Sequence, residues 1–205
     1  FDDHIEKTIK WWKLASENGH TDSTYELGKL YYKGNFDDTI DPNYKMAVKY
    51  LKKAAEMGEI YANIYLGDLY AEEKLGSKDF AEAEKFYNAA IDMGYETSGF
   101  ESLADLYLDS DPYKAVEYYE KAVKKGSLSA AKKLAKLYFH GEKIHRDFKK
   151  SLELFKICKE DKQEVKEIRQ VDIRKYIAQI YYRGGNGVAK NHVKAMQNFK
   201  ELMFL

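Results

Sequence analysis

KYLKKAAEMGEIYANIYLGDLY, from Lys49 to Tyr70, holds the end of one helix, a stop, and most of the next helix. Val48, Leu51 and Ala55 recur at helical spacing with lysines on the opposite side, which makes the first half an amphipathic helix. Gly58 follows the last periodic residue, where a left-handed backbone closes a helix without a Cβ penalty. Beyond it Ala62, Leu66, Gly67 and Tyr70 share one face, with small side chains where a second helix backbone can come close. The stretch therefore encodes two helices packed antiparallel across a glycine turn.

The same pattern recurs along the chain. Helix-ending glycines stand at Gly19, Gly58, Gly94 and Gly126, a period of the length that marks a helical solenoid. A bulky pair precedes each stop: Trp11-Trp12, Tyr50-Leu51, Phe86-Tyr87 and Tyr118-Tyr119, with Leu154-Phe155 and a lone Phe199 further on. The helix after each stop carries a frame of small residue, Leu, small residue and Tyr. It reads Ser23/Leu27/Gly28/Tyr31, Ala62/Leu66/Gly67/Tyr70, Gly99/Leu103/Ala104/Tyr107, Ala130/Leu134/Ala135/Tyr138 and Ile173/Ile177/Ala178/Tyr181. Asn43, Asp79, Asp111, Asp147 and Asn191 open the second helices as N-caps, and Pro112 suits a first helical position. The loop from Gly34 to Pro42 reads as an insertion. No glycine closes the fourth pair, and the run from Cys158 past Lys162, Val165 and Ile168 reads as added helical turns.

With 205 residues, 44% hydrophobic and 33% charged, the chain can bury a real core, and it has no Pro/Gly/Ser-rich linker. The single cysteine, Cys158, excludes an intramolecular disulfide and a cysteine zinc cluster, and reads as a small buried apolar residue. No apolar run approaches the roughly 20 residues of a membrane span. Any signal peptide or anchor would lie upstream of Phe1, so the compartment stays open.

These residues carry a family resemblance. The runs A-x-x-x-L-G-x-x-Y and K-A-x-x-(aromatic)-x-x-K-A-A-E-x-G, joined by a Gly-containing loop with an Asp, resemble the Sel1-like repeat, a branch of the tetratricopeptide superfamily. The match is best at Ala47–Tyr70, Lys114–Gly126, Lys132–Ser151 and Gly184–Ala195. Gly141, Ile144 and Asp147, and Gly187, Val188 and Asn191, fit its loop. Ile173, the alanines 104, 135 and 178, and Lys162 depart from it. The resemblance implies an all-α, right-handed α-solenoid of stacked antiparallel helix pairs that serves as an adaptor or scaffold, without enzyme activity. The expected organisation is one domain, 1–205, with a leading helix at about 4–18 and pairs at about 20–58, 59–94, 95–126, 127–162 and 163–205.

Net charge is zero, yet residues 59–110 hold 12 acidic and 3 basic side chains while residues 111–205 hold 12 acidic and 22 basic. In tetratricopeptide-like solenoids the first helix of each pair lines the concave face. The resemblance thus places Tyr25, Lys29, Tyr32 and Lys33, then Ile64, Asp68 and Glu72, then Glu101, Asp105 and Asp109 in a partner-binding groove. Lys132, Lys136, Phe139 and His140, and finally Lys175, Gln179, Tyr182 and Arg183, continue it. Such a groove is acidic in the middle and basic with exposed aromatics at its C-terminal end. The competing reading is that these are solvated helix faces.

Catalytic or metal chemistry finds little support. The five histidines are scattered, and His140 and His145 share a loop without a metal-ligand spacing. Glu72-Glu73 and Asp105 have no accompanying nucleophile, and Gly184-Gly185-Asn186-Gly187 lacks the Lys-Ser/Thr of a phosphate loop. No cofactor is expected. The function read from the chain is a non-enzymatic scaffold that binds a protein or peptide. The alternatives are an immunity-type inhibitor of a partner enzyme and a basic surface for nucleic acid or acidic lipid. Met196, Phe199, Leu202, Met203 and Phe204 form an apolar face on the last helix, which predicts that the parent chain continues past Leu205 or that this face pairs with another copy or a partner.

Overall fold

The computed structural model describes residues 2–34, 41–160 and 167–201, with side chains described for 5–34, 41–159 and 171–201. Most of the expected insertion after Gly34, the turns at Lys162 and Val165, and Leu202, Met203 and Phe204 lie outside the described residues. Eleven α-helices are described: α1 (Asp2–Glu17), α2 (Thr21–Lys33), α3 (Tyr44–Glu56), α4 (Ile60–Ala71), α5 (Phe80–Asp92), α6 (Glu96–Tyr107), α7 (Pro112–Lys124), α8 (Leu128–His140), α9 (Phe148–Glu160), α10 (Glu167–Arg183) and α11 (His192–Glu201). A 3-10 turn, Glu73–Leu75, follows α4. Among the described residues the sole extended pairing is the bridge between Gly185 and Val188. The fold is an all-α solenoid of stacked helix pairs.

Local chemistry sets the ends of these helices. Gly58, after α3, sits at φ 91°, a backbone that side-chain-bearing residues rarely adopt. The side chains of Asn43, Asp79, Asp111, Asp147 and Asn191 each accept the backbone N–H three residues on, at 2.9–3.1 Å. Each bond satisfies one of the donors that a helix start leaves unpaired. His20 caps α2, its Nδ1 accepting from Ser23 N at 3.2 Å.

The chain forms two compact units, residues 1–106 and 107–205. In the first, Ala47, Leu51, Ala54, Ala62, Leu66 and Leu69 from α3 and α4 are buried together, with Tyr31, Val48 and Phe86 against them. Gly28 faces Leu51, and a Cβ built on Gly28 would stand 2.7 Å from Leu51 Cγ. In the second unit, Ala131, Ala135, Phe139, Phe148, Leu152, Phe155, Cys158, Ile173, Ile177 and Ile180 form the core. Cys158 is buried there, its Sγ 3.7 Å from Leu128 O.

The framework tyrosines act as spacers between the helices of a pair. Tyr31 stacks on Tyr50 at 5.7 Å, Tyr70 on Phe86 at 5.6 Å and Tyr107 on Tyr118 at 5.9 Å between ring centroids. Where a lysine stands three residues after the N-cap, it covers the ring. Lys114 lies 3.6 Å from the Tyr107 centroid, Lys150 5.0 Å from that of Tyr138 and Lys194 5.4 Å from that of Tyr181. Such contacts contribute about 0.5–1 kcal/mol each at exposed sites.

Candidate partner-binding surfaces

In the first unit, α2 presents Tyr25, Lys29, Tyr32 and Lys33, α4 presents Ile64 and Asp68, Glu72 ends α4, and α6 presents Glu101 and Asp105. Lys33, Glu72 and Asp105 are exposed and the other six are half-buried. Tyr25 and Tyr32 belong to a row of five tyrosine rings, of which Tyr61, Tyr65 and Tyr95 are not among the expected groove residues. Tyr32 meets Tyr65 at 5.0 Å, Tyr65 meets Tyr25 at 6.0 Å, Tyr25 meets Tyr61 at 6.4 Å and Tyr61 meets Tyr95 edge-on at 4.9 Å. Tyr61 is 49% exposed. Tyr61 and Tyr65 are four apart on α4, one helical turn, which was the available signal. Both lie off the small–Leu–small–Tyr frame of α4.

Lysines and carboxylates surround this row. Lys29 lies 5.3 Å from the Tyr25 centroid and Lys33 5.5 Å from that of Tyr65. Lys74, on the 3-10 turn, donates to the Tyr32 hydroxyl at 3.0 Å and pairs with Glu72 at 2.9 Å. Burial alone would lower the Lys74 pKa, but its bonds to Glu72 and Tyr32 outweigh that and raise it. The Tyr87 hydroxyl, from α5, donates to Asp68 Oδ1 at 2.8 Å. Burial holds the Asp68 carboxyl above its ordinary range, with Glu72 and Asp105 adding to the rise and Tyr87 and Lys74 opposing it. Burial, then Tyr65, then Glu26 and Glu59 raise Tyr25, while burial and then Asp68 raise Tyr87.

The Asp68 shift has a sign that can be measured. Its folded-state pKa lies above that of an unfolded-chain aspartate, about 3.9, so the folded state keeps the proton longer. The contribution of this group to stability is therefore greatest below the unfolded pKa, and falls as pH rises through the window up to the folded pKa. Asp68→Asn removes the charge and keeps an oxygen for the Tyr87 hydroxyl. Urea unfolding from pH 3.5 to 7 should show a flatter loss of stability in the variant; identical pH profiles for the two chains would contradict the assignment.

In the second unit, Lys132, Lys136, Phe139 and His140 lie on α8, Lys175, Gln179, Tyr182 and Arg183 on α10, and Asp109 just after α6, where it pairs with Lys143. Phe139 corrects the expectation of an exposed groove aromatic, being only 5% exposed. It packs at 5.6 Å on Phe148 and edge-on at 4.9 Å on Tyr176. The large Ile173 and Tyr176 on α10 supply an apolar wall, and burying the ring there gains more than leaving it in water. Lys136 at 5.6 Å from Tyr176 and Arg183 at 5.6 Å from Phe139 draw the polar members together around this cluster, with His140 edge-on to both rings. Tyr182 is 60% exposed, beside His192, and Lys175 is exposed without a ring contact of this kind.

Among the described residues, no group of three or more His, Cys, Asp or Glu side chains is placed to hold a metal ion. No described helix is long and apolar enough to cross a membrane.

The repeated frame, its N-caps and its stacked tyrosines define a class, the α-solenoid repeat proteins. Within that class the Sel1 repeat matches six segments, residues 3–20, 21–59, 60–95, 102–127, 128–157 and 176–201, and the chain belongs to the Sel1 repeat family. Proteins of this family generally mediate protein–protein interactions and are typically non-catalytic. An uncharacterised protein of Neisseria meningitidis serogroup B is 27% identical over 149 residues, 73% of this chain and 31% of that protein. The crystal structure of c5321, described as a protective antigen of uropathogenic Escherichia coli with an SLR fold, is similar with a TM-score of 0.70 and 26% identity, over 96% of this chain and 40% of that one. A Sel1 repeat protein from Oxalobacter formigenes gives a TM-score of 0.65 and 27% identity, over 95% of this chain and 75% of that one. The chain thus spans about a third of the curated Neisseria relative.

Proposed function

We propose that this chain is a non-enzymatic interaction scaffold that takes a protein or peptide partner on the first helices of its pairs, with the tyrosine row of the first unit as its anchor. The observation that carries this reading is the row itself, Tyr32–Tyr65–Tyr25–Tyr61–Tyr95. Tyrosine offers large amphipathic area at low conformational cost and is enriched among residues that dominate binding energy. The rings brace one another, so little ordering remains to be done when a partner arrives. Asp68, Glu101 and Asp105, with the lysines beside the rings, set the charge pattern a partner must complement.

Crosslinking capture from the native host, compared across variants, tests the reading. Tyr25→Ala with Tyr65→Ala should weaken binding of the captured partner by about tenfold or more, and Asp68→Lys with Asp105→Lys should slow its association. Lys85→Glu and Lys124→Glu, at exposed positions on the second helices α5 and α7, should leave it unchanged. Equal losses from both sets would overturn the face assignment. If the captured partner is an enzyme whose activity falls on binding, the role is that of an inhibitor using the same face. Steeply salt-dependent binding of single-stranded RNA or acidic vesicles by wild-type chain, abolished by charge reversal in residues 111–205, would instead favour a basic-surface binder.

A further inference from the structure

Two polar stripes run along the first helices of the second unit. Lys132, Lys136 and His140 follow one another at every fourth residue of α8, and Lys175, Gln179 and Arg183 do so on α10. Residues four apart on a helix stand one above the other, about 6 Å apart along its axis. The stripes meet across a pair of rings. Lys136 and His140 lie 5.6 and 6.0 Å from the centroid of Tyr176 on α10, and Arg183 lies 5.6 Å from that of Phe139 on α8.

Elsewhere in the chain carboxylates answer the cations. Lys29 pairs with Glu26, Lys74 with Glu72, Lys143 with Asp109, and Lys159 and Arg174 both with Glu201. Among the described residues Lys132, Lys136, Lys175 and Arg183 form no ion pair, and Asp172, one turn before Lys175, pairs with none of them. The segment that carries them, residues 111–205, has 22 basic and 12 acidic side chains. Lys132 and Lys136, four apart on one helix, repel each other. A bound anion would turn that repulsion into attraction.

The chemistry of the face selects among anions. Single-stranded nucleic acid needs open ring faces for its bases, and here the rings are in use. Phe139 is 5% exposed, and Tyr176 has Phe155 stacked on it at 5.0 Å and Phe139 edge-on at 4.9 Å. The rings hold cations in place instead, and the planar guanidinium of Arg183 suits two-pronged contact with a carboxylate. In an extended chain alternate side chains leave the same side about 6.5 Å apart, close to the step of each stripe.

We propose that the face formed by α8 and α10 docks an acidic segment of the partner protein, an extended stretch with Asp or Glu at alternate positions whose carboxylates settle on Lys136, Lys175 and Arg183. This rests on the reading that the first helices of the pairs carry the partner, and adds the kind of segment they take in the second unit.

The probe is a peptide of alternating glutamate and glycine with five glutamates, fluorescein-labelled at its N-terminus, amidated at its C-terminus and followed by fluorescence anisotropy at low ionic strength. It should bind saturably and more weakly as salt rises, and the same peptide with glutamine for glutamate should not bind. Lys175→Glu with Arg183→Glu should weaken binding about tenfold. Both side chains are exposed, so the fold should persist, which circular dichroism checks. Lys136→Gln, a neutral change on the other stripe, should weaken it about threefold. Lys149→Glu with Lys156→Glu, exposed on α9, makes the same change in net charge and should alter affinity by less than about twofold. Tyr25→Ala with Tyr65→Ala, in the first unit, should leave peptide binding unchanged, so a failure of the tyrosine row and a failure of the acidic-segment assignment appear in different variants. Absence of saturable binding, or equal losses from the α9 and α10 pairs, overturns the site. Tighter binding of polyuridylate or of phosphatidylserine vesicles, lost with the same α10 pair, overturns the peptide assignment in favour of a phosphate-bearing ligand.

Discussion

Gly67→Leu should lower the stability of the first unit by about 2.5–6 kcal/mol, combining about 1–3 kcal/mol of overpacking with about 1.5–3 kcal/mol for a lost hydrogen bond to a charged group. A Cβ built on Gly67 would stand 2.3 Å from Tyr87 Cε1 and 2.5 Å from its Cδ1. The ring cannot step aside cheaply, being 3% exposed and tied through its hydroxyl to Asp68 at 2.8 Å. Moving it breaks that bond and leaves a half-buried carboxylate without its donor. Thermal and urea melts read the effect directly, since each kcal/mol corresponds to about 2–4 °C in a chain of this size. An unchanged melting curve would show that α4 and α5 do not meet at this glycine. Tyr87→Phe is the companion measurement: it keeps the ring, removes the hydroxyl, and isolates the hydrogen-bond share of the loss.

The features that could be read from the chain are those decided within one or two helical turns. The helix stops, the five N-caps and the frame residues depend on a backbone angle, one side-chain bond, or a spacing of three and four, and all appear in the structure where the sequence puts them. Interactions decided between helices were harder. Tyr61, Tyr65 and Tyr95 join the row because α2, α4 and the start of α6 bring different turns side by side, which a single-helix frame does not encode. Lys74 reaches Tyr32 from a 3-10 turn that no periodicity announces, placing a cation beside residues read as an acidic wall. The frame places Phe139 on the groove face, whereas its burial is set by Tyr176 and Phe148 on the helices packed against it. Candidate binding residues are thus less legible than the scaffold that holds them.

Phe155→Ala should cost the second unit about 3–5 kcal/mol, the range for removing a fully buried aromatic ring. Phe155 is 0% exposed and stacks on Tyr176 at 5.0 Å and 9°, and Tyr176 in turn stands edge-on to Phe139 at 4.9 Å. Deleting the ring removes the floor under Tyr176 and opens a cavity between α9 and α10, so amide protection should fall first in α8, α9 and α10. Phe199 provides the internal control. It stands eight residues after its N-cap Asn191, as Phe155 does after Asp147, Tyr119 after Asp111 and Tyr87 after Asp79. Those three rings are at most 3% exposed, whereas Phe199 is 41% exposed, with Met196 at 56% on the same helix. The same truncation there removes a ring that is already largely in water, and Phe199→Ala should cost below about 1 kcal/mol. Hydrogen exchange and urea unfolding on both variants decide it. Equal destabilisation would mean that a covering element buries Phe199 in solution, and a small loss at Phe155 would mean that the aromatic cluster does not hold the second unit together.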